Sequence, residues 1–325
     1  MRIITQQTVG GPNVLEVADV VRPEPGYGQV LVNVGAAGVN PVDLVTRAGA
    51  YQPRDREGGD ELRFGSGLLG APPFTLGWDV AGVIESVGVG VSAFGPGDEV
   101  FGLLAFPGAG NSYADYVLAS PNEIIRRPTR LTIEQAGAFP LAALTAWQAL
   151  VGIAKVAPGQ RVLIHAAAGG VGHLAVQVAK AQGAYVIGTA SAPKHDVVKQ
   201  FGADEMIDYR TTEFESAIEP VDVVFDLVGG AYGERSARVL KSGGLLVGAV
   251  GMYLGITPEQ AAEAGVRLAV VSVRPSAPDL RELAKLVEAG QLTVHVEHAV
   301  PLDEAAKAHE LAEDGHVTGK IVLVP

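Results

Sequence analysis

Hydrophobic and polar positions run through the chain in two rhythms. Up to about residue 125 the apolar runs are short and broken by Gly and Pro, as in Val30-Leu31-Val32-Asn33-Val34, Val80 to Val87 and Tyr113 to Leu118. Runs of this kind predict an antiparallel or irregular β-rich domain. From Arg126 onward β-type runs alternate with helical segments, which predicts βαβ units and a parallel sheet. The strands predicted there are Arg161 to Ala166, Tyr185 to Thr189, Glu205 to Tyr209, Val221 to Leu227, Leu245 to Val250 and Leu268 to Val273. Six strands with intervening helices fit an open, doubly wound α/β sheet.

The pattern does not stop there. Leu280, Leu283, Ala284, Leu286 and Val287 follow helical spacing and predict a helix over Asp279 to Ala289. A strand (Val294 to His298), a helix (Asp303 to Ala312) and a last strand (Ile321 to Val324) come after it. These elements exceed a six-stranded doubly wound fold and are expected to return to the first domain. The expected division is therefore residues 1–125 with 275–325, and residues 126–274. Residues 52–73 fit neither rhythm; with Pro, Gly and Arg54-Asp55-Arg56-Glu57 they read as one long loop.

Composition narrows the chemistry. The 325 residues are 48% hydrophobic and 18% charged, enough for two buried cores and too apolar for a disordered chain. Cysteine is absent, which removes disulfides, thiolate nucleophiles, iron–sulfur clusters and Cys-ligated zinc. All seven histidines lie at His165 or later, so a zinc site in the first half would have only carboxylates to use. A net charge of −12 without basic runs argues against nucleic acid as a partner. The longest uncharged stretch, Gln135 to Ala154, contains Pro140, Thr145 and two glutamines, which reads as a buried helix and not a membrane span. Met1 leads into Arg2-Ile3-Ile4-Thr5 with no signal-peptide pattern, so a soluble cytoplasmic protein is expected.

One motif carries a mechanism. The first predicted parallel strand runs into Ala167-Ala168-Gly169-Gly170-Val171-Gly172, followed by a helix with Leu174, Ala175, Val178 and Ala181 on its apolar face. This is G-x-G-x-x-G with Ala at the first position, the turn of a Rossmann dinucleotide fold. Gly169 lets the backbone approach a pyrophosphate at the helix N-terminus, and Gly172 lets the helix pack on the sheet. An NAD site needs an acidic residue about 20 positions further on. Ser191 stands there instead, no acidic residue occurs from Gly172 to His195, and Lys194 follows. A hydroxyl and an ammonium suit a 2′-phosphate, so NADPH is the expected cofactor.

Further blocks, taken in order, resemble the medium-chain dehydrogenase/reductase superfamily, in particular its zinc-free quinone oxidoreductase (zeta-crystallin-like) branch. They are Gly38-Val39-Asn40-Pro41-Val42-Asp43, Arg47-x-Gly49-x-Tyr51, Gly77-Trp78-Asp79-Val80-Ala81-Gly82, Val87-Gly88, Pro96-Gly97-Asp98, Leu144-Thr145-Ala146, Ala166 to Gly172, and Gly319-Lys320. The likeness covers nearly the whole chain except residues 52–73. It implies a GroES-like β-rich catalytic domain formed by both chain ends, with the Rossmann domain holding NADPH. Zinc-dependent members carry Cys where this chain has Asn40 and His where it has Trp78, and the Cys-rich zinc lobe is missing. A zinc alcohol dehydrogenase is accordingly set aside.

What the resemblance implies for individual residues follows. Asn40 and Tyr51 are the candidate hydrogen-bond donors to a developing oxyanion or enolate; Asn40 is implied to contact the nicotinamide ribose region or substrate, and Tyr51 to lie at the cleft mouth, matching a proton donor proposed in enoyl-thioester reductases. Asp43 either joins that chemistry or fixes the local turn and pairs with Arg47. Thr145 matches a residue holding the nicotinamide carboxamide, and Tyr209 one flanking the adenosine phosphates. Gly170, Val171, Gly251 and Lys320 complete the expected cofactor set. Asp208 stands where the family often has Asn, and Val45 where quinone reductases often have a second Tyr. His165 and His173 read as structural. The activity implied is reduction of quinones or α,β-unsaturated carbonyls; an enoyl-thioester reductase and a non-enzymatic NADPH-binding protein are the alternatives. A homodimer through the edge strand near 268–273 is implied as well.

Overall fold

The computed structural model describes residues 1–49, 68–249 and 254–325. Strands β1 (Arg2–Gln6), β2 (Glu16–Asp19) and β3 (Val30–Val39) precede helix α1 (Pro41–Ala48). Then come β4 (Phe74–Thr75), β5 (Asp79–Val87), β6 (Glu99–Leu103), β7 (Tyr116–Ala119), β8 (Ile124–Arg126), α2 (Ile133–Ala138) and α3 (Pro140–Trp147). Strands β9 (Arg161–Ile164), β10 (Tyr185–Ala190), β11 (Glu205–Asp208), β12 (Val221–Asp226), β13 (Leu240–Gly248) and β14 (Arg267–Val270) follow. They are interleaved with α4 (Gly172–Ala181), α5 (His195–Gln200), α6 (Tyr232–Arg238) and α7 (Pro258–Glu263). The chain closes with α8 (Ala277–Glu288), β15 (Val296–Pro301), α9 (Ala305–Asp314) and β16 (Lys320–Val324).

The chain divides into two compact units. The first comprises Met1–Leu144, Arg274–Glu288 and Val294–Pro325; the second comprises Thr145–Val273 and Ala289–Thr293. In the first unit the main sheet runs β15-β16-β3-β5-β6-β8, with β7 also on β3, and a small sheet runs β2-β1-β4. This is the GroES-like β-rich domain. Its centre is β3, whose Val30, Val32 and Val34 enter one core with Val80, Ile84, Ile321 and Leu323. Both chain ends meet there, because β16 pairs antiparallel with β3.

The second unit is a Rossmann-type sheet of parallel strands in the order β11-β10-β9-β12-β13-β14. Its central strand β9 has Val162, Leu163 and Ile164 fully buried, as helices on both faces of a parallel sheet require. The order reverses at β9, and ligands of such sheets bind outside the carboxyl ends of the strands near that reversal.

Two boundaries differ from the sequence expectation. The division expected at 125/126 falls at Leu144/Thr145, because α2 lies directly on β3. A Cβ on Gly137 would sit 2.6 Å from the Cβ of Ala36, so glycine is what permits that approach. Residues 289–293, expected in the first domain, belong to the second unit. There Gln177 of α4 donates to the Thr293 carbonyl at 2.9 Å and accepts from the Thr293 N–H at 2.8 Å. Strand β13 also starts earlier than its apolar run predicts: Leu240 pairs with Val221, and Lys241 to Gly244 form an irregularity in the register before pairing resumes at Leu245. No helix among the described residues is long and apolar enough to cross a membrane.

Candidate active site

In the second unit the glycine loop is built by close approach of backbone to backbone. Ala166 adopts φ 48° after β9, a turn that aims its carbonyl at the start of α4. A Cβ on Gly172 would lie 2.2 Å from that oxygen and 2.8 Å from the Ala167 Cα; on Gly169 it would lie 3.2 Å from the same oxygen. The N–H of Gly169 donates to the Ala166 carbonyl at 2.9 Å. Gly172 opens helix α4, so the glycine turn sets a helix N-terminus at the carboxyl end of the central strand.

The neighbouring strand ends carry the other expected residues. Strands β10 and β11 run parallel with Ala190 opposite Asp208. Ser191 with Lys194, and Tyr209 with Arg210, therefore follow adjacent strands at the same edge of the sheet. Ser191 is buried and Tyr209 half exposed. The Asp208 side chain accepts the Arg210 N–H at 3.0 Å. Its carboxylate caps its own turn. Arg210, whose guanidinium lies 5.9 Å from the Tyr209 ring, is a cation that the motif did not single out. Thr145 is buried in α3.

His165 and His173 are structural. His165 is fully buried, with Nδ1 3.1 Å from Thr189 Oγ1 and Nε2 3.1 Å from Ser236 Oγ. Burial, with Arg235 nearby, pushes its pKa down to about 3. His173 Nδ1 lies 3.0 Å from the Gly169 carbonyl. Asp226, at the end of β12, accepts from the N–H groups of Val228 and Gly229 through Oδ1, while its buried Oδ2 has no partner among the described residues.

The first unit gathers Asn40, Asp43 and Lys320 into one buried cluster with two residues that sequence did not single out, Asp79 and Tyr113. Asn40 is the N-cap of α1 and Asp43 its third residue. Asp43 accepts the Asn40 N–H at 2.9 Å and the Gly77 N–H at 3.0 Å, the second half of a capping box. The Asn40 Nδ2 donates to Asp79 Oδ2 at 2.9 Å, and Lys320 Nζ donates to Asn40 Oδ1 and to the Val39 carbonyl. Asp79 Oδ1 accepts the Leu141 N–H at 2.6 Å. Lys320, expected to line a cofactor site, is 3% exposed and directs its ammonium inward. An aspartate inside the apolar run Trp78-Asp79-Val80-Ala81 was the available signal, since a buried carboxylate is seldom without a partner.

A second chain of contacts starts at Tyr113. Burial, with Asp43 and Asp79 nearby, pushes the Tyr113 hydroxyl pKa up, and His309 Nε2 lies 3.3 Å from that hydroxyl. Arg47 NH1 is 3.2 Å from His309 Nδ1, and Arg47 also donates to Gly10 O and to Glu313. A guanidinium only donates. Nδ1 of His309 is therefore the acceptor, Nε2 carries the proton, and the Tyr113 oxygen accepts it. In place of the expected alternative pairing with Arg47, Asp43 accepts from backbone N–H groups, and Arg47 reaches Tyr113 through His309.

Burial dominates the electrostatics. It raises the Asp43 pKa to about 7, opposed by the two backbone N–H donors and Lys320 and reinforced by Asp79. It raises Asp79 and lowers Lys320 as well. The sign for Asp43 is fixed by linkage. Between about pH 4 and 7 the native state holds a proton that the unfolded state has lost, so this group's contribution to stability falls as pH rises through that window. Asp43→Asn is expected to lose a hydrogen bond at every pH. Its deficit against wild type should shrink by on the order of 3 kcal/mol between pH 5 and 8. Denaturant midpoints at the two pH values test this, and a pH-independent deficit would refute it.

Trp78, matching a family metal position, is fully buried; its indole N–H donates to the Gly108 carbonyl and its ring meets Phe106 edge-on at 5.5 Å. No group of three potential metal ligands occurs among the described residues. Tyr51, Gly251 and most of the 52–73 loop lie outside the described residues.

Comparison with known proteins agrees with both halves of this description. Residues 26–129 match the alcohol dehydrogenase GroES-like domain, and residues 201–323 match the zinc-binding dehydrogenase family. Quinone oxidoreductase of Sus scrofa is 34% identical over 331 residues, covering 97% of this chain and 95% of that protein. The structure of the quinone oxidoreductase from Coxiella burnetii superposes with a TM-score of 0.90 at 39% identity, covering 100% and 99% of the two chains. That of Escherichia coli quinone oxidoreductase complexed with NADPH gives 0.87 at 29% identity, with 100% of each chain covered.

Proposed function

The chain belongs to the medium-chain dehydrogenase/reductase superfamily, in its quinone oxidoreductase (zeta-crystallin-like) branch, and is an NAD(P)H-dependent oxidoreductase; from that premise we propose an NADPH-dependent, zinc-independent reductase of quinones or α,β-unsaturated carbonyls. The observation that carries the cofactor choice is the end of β10, where Ser191 and Lys194 stand and no carboxylate does. A carboxylate there would repel a 2′-phosphate; an ammonium attracts it. Gly172, where a Cβ would strike the Ala166 and Ala167 backbone, lets α4 start tightly against the loop after β9, and the helix N-terminus there suits a pyrophosphate. When bound, the nicotinamide supplies a hydride.

The protein's own part is to orient and to hold protons. Asn40 and Trp78 occupy the positions that match the family's metal ligands. Trp78 is an apolar wall with its single donor already used. With neither thiolate nor imidazole at those positions, the reading favours an acceptor that needs no Lewis acid. Conjugation in a quinone or enone spreads the developing charge onto oxygen, where one oriented hydrogen-bond donor stabilises it. Asn40 is proposed for that contact or for the nicotinamide ribose. Asp43, holding the first turn of α1, is proposed to fix its backbone.

NADPH and NADH oxidation with quinones, cyclic enones, alkenals and enoyl thioesters tests the reading. Turnover with quinones or enones is expected, with NADPH preferred. Lys194→Ala should lower kcat/KM for NADPH about tenfold, the loss of one charge-assisted contact, and leave NADH unchanged. An unaltered cofactor ratio would remove Lys194 from the assignment. Exclusive turnover of enoyl thioesters would replace the substrate class.

A further inference from the structure

We propose that Lys320 and Asp79 are positioning residues which hold the Asn40 carboxamide in one of its two flip states; the inference rests on the reading of Asn40 given above. The oxygen and nitrogen of a carboxamide are nearly the same size, so packing alone does not choose between the flips. Charge does. An ammonium only donates and an ionised carboxylate only accepts. Lys320 Nζ meets Oδ1 from one side and Asp79 Oδ2 meets Nδ2 at 2.9 Å from the other. Reversing the amide would set two donors and two acceptors face to face.

The ion pair is otherwise badly made. Lys320 is 3% exposed and Asp79 fully buried, yet their charged atoms stand 4.0 Å apart with the amide bonded to both. Two desolvated charges at that separation are a weak source of stability. Their arrangement is efficient only for orienting what bridges them. The consequence lies on the second N–H of Asn40. Its sole acceptor among the described residues is the Gly38 carbonyl, at a marginal 3.5 Å. In the observed flip the amide therefore offers a donor there; in the other it would offer an acceptor.

Both residues also tie backbone together, Asp79 to Leu141 and Lys320 to Val39, so the test has to separate orientation from scaffolding. The double variant Lys320→Met/Asp79→Asn removes both charges of the pair together. The carboxamide introduced at position 79 keeps an oxygen for the Leu141 N–H and turns its NH2 group towards Asn40, which is then expected to flip. The expected result is a folded protein with shifted Asn40 side-chain 15N–1H resonances in the absence of NADPH. With NADPH and a quinone, kcat should fall about 10- to 100-fold at little changed acceptor KM. In an Asn40→Ala background the same two substitutions should alter kcat by no more than about twofold. Lys320→Arg, also donor-only, should keep both the resonances and the rate. Should the double variant not fold, Asp79→Asn alone sets the two clamps in conflict and should broaden the Asn40 signals. Unmoved resonances, a wild-type rate, or an equal loss without Asn40 would each overturn the proposal. A wild type inert with every acceptor overturns the function instead, and the Asn40 resonances still decide whether the pair sets the flip.

Discussion

Gly172→Ala is expected to destabilise the second unit by about 3 kcal/mol and to lower NADPH affinity at least about tenfold. The added Cβ would lie 2.2 Å from the Ala166 carbonyl oxygen and 2.8 Å from the Ala167 Cα. These are backbone atoms, and they cannot rotate aside as a side chain would. Relief requires α4 to move off the sheet or the loop to unwind, and Ala166 already sits at φ 48°, where an L-residue is strained. Either movement displaces the N–H groups that the pyrophosphate would meet. Two further variants make the prediction sharp. Gly169→Ala meets only the same oxygen at 3.2 Å and should cost much less stability. Gly152→Ala is exposed and meets nothing within 4 Å, so it should be neutral or slightly stabilising through the unfolded chain. Thermal midpoints and NADPH titration by fluorescence measure both effects. Equal behaviour of Gly172→Ala and Gly152→Ala would show that close approach does not govern this loop.

The strand succession after Arg161, the glycine loop and the edge position of β14 were all legible in the sequence, because periodicity and G-x-G-x-x-G are local signals. The clamp on Asn40 was not. Its members stand at positions 40, 79, 141 and 320, and nothing in a local pattern says that β16 returns beside β3. The Arg47–His309–Tyr113 relay was hidden for the same reason. His309 stands on an amphipathic helix where a lone histidine reads as surface or core alike. Helix α2 was assigned to the wrong unit because its apolar face looks the same whichever sheet it covers. Only the glycines at 35, 38 and 137, which let it touch β3 and its neighbours, carry the information, and a glycine does not announce what approaches it.

Those buried polar groups also set the protein's response to acid. Between about pH 6.5 and 3 the protein is expected to lose stability steeply, and two histidines should account for much of the slope. Burial, aided by Arg235 at His165 and by Arg47 at His309, lowers each pKa to about 3. In that window the unfolded state binds a proton at each histidine that the native state refuses. Stability therefore rises with pH up to the ordinary histidine value and is lost as pH falls. At pH 4.5 each group has removed on the order of 3 kcal/mol. Asp43 works against them, because its raised pKa favours the native state as pH drops below about 7. His309→Gln keeps an oxygen for Arg47 and an NH2 for Tyr113, and His165→Gln keeps partners for Thr189 and Ser236, while neither can take up a proton. Each should be less stable than wild type at pH 7.5, through lost ring contacts with Tyr113 or with Phe214 and Tyr232. Each should close that gap, or reverse it, by pH 4.5. Denaturant unfolding at pH 4.5, 5.5, 6.5 and 7.5 reads the slopes directly. In the double variant the Asp43 contribution should emerge with the opposite sign. Retention of the full wild-type slope by both single variants would mean that these histidines are already charged in the native protein, and the donor–acceptor directions assigned from Arg47 to Tyr113 would fall with that result.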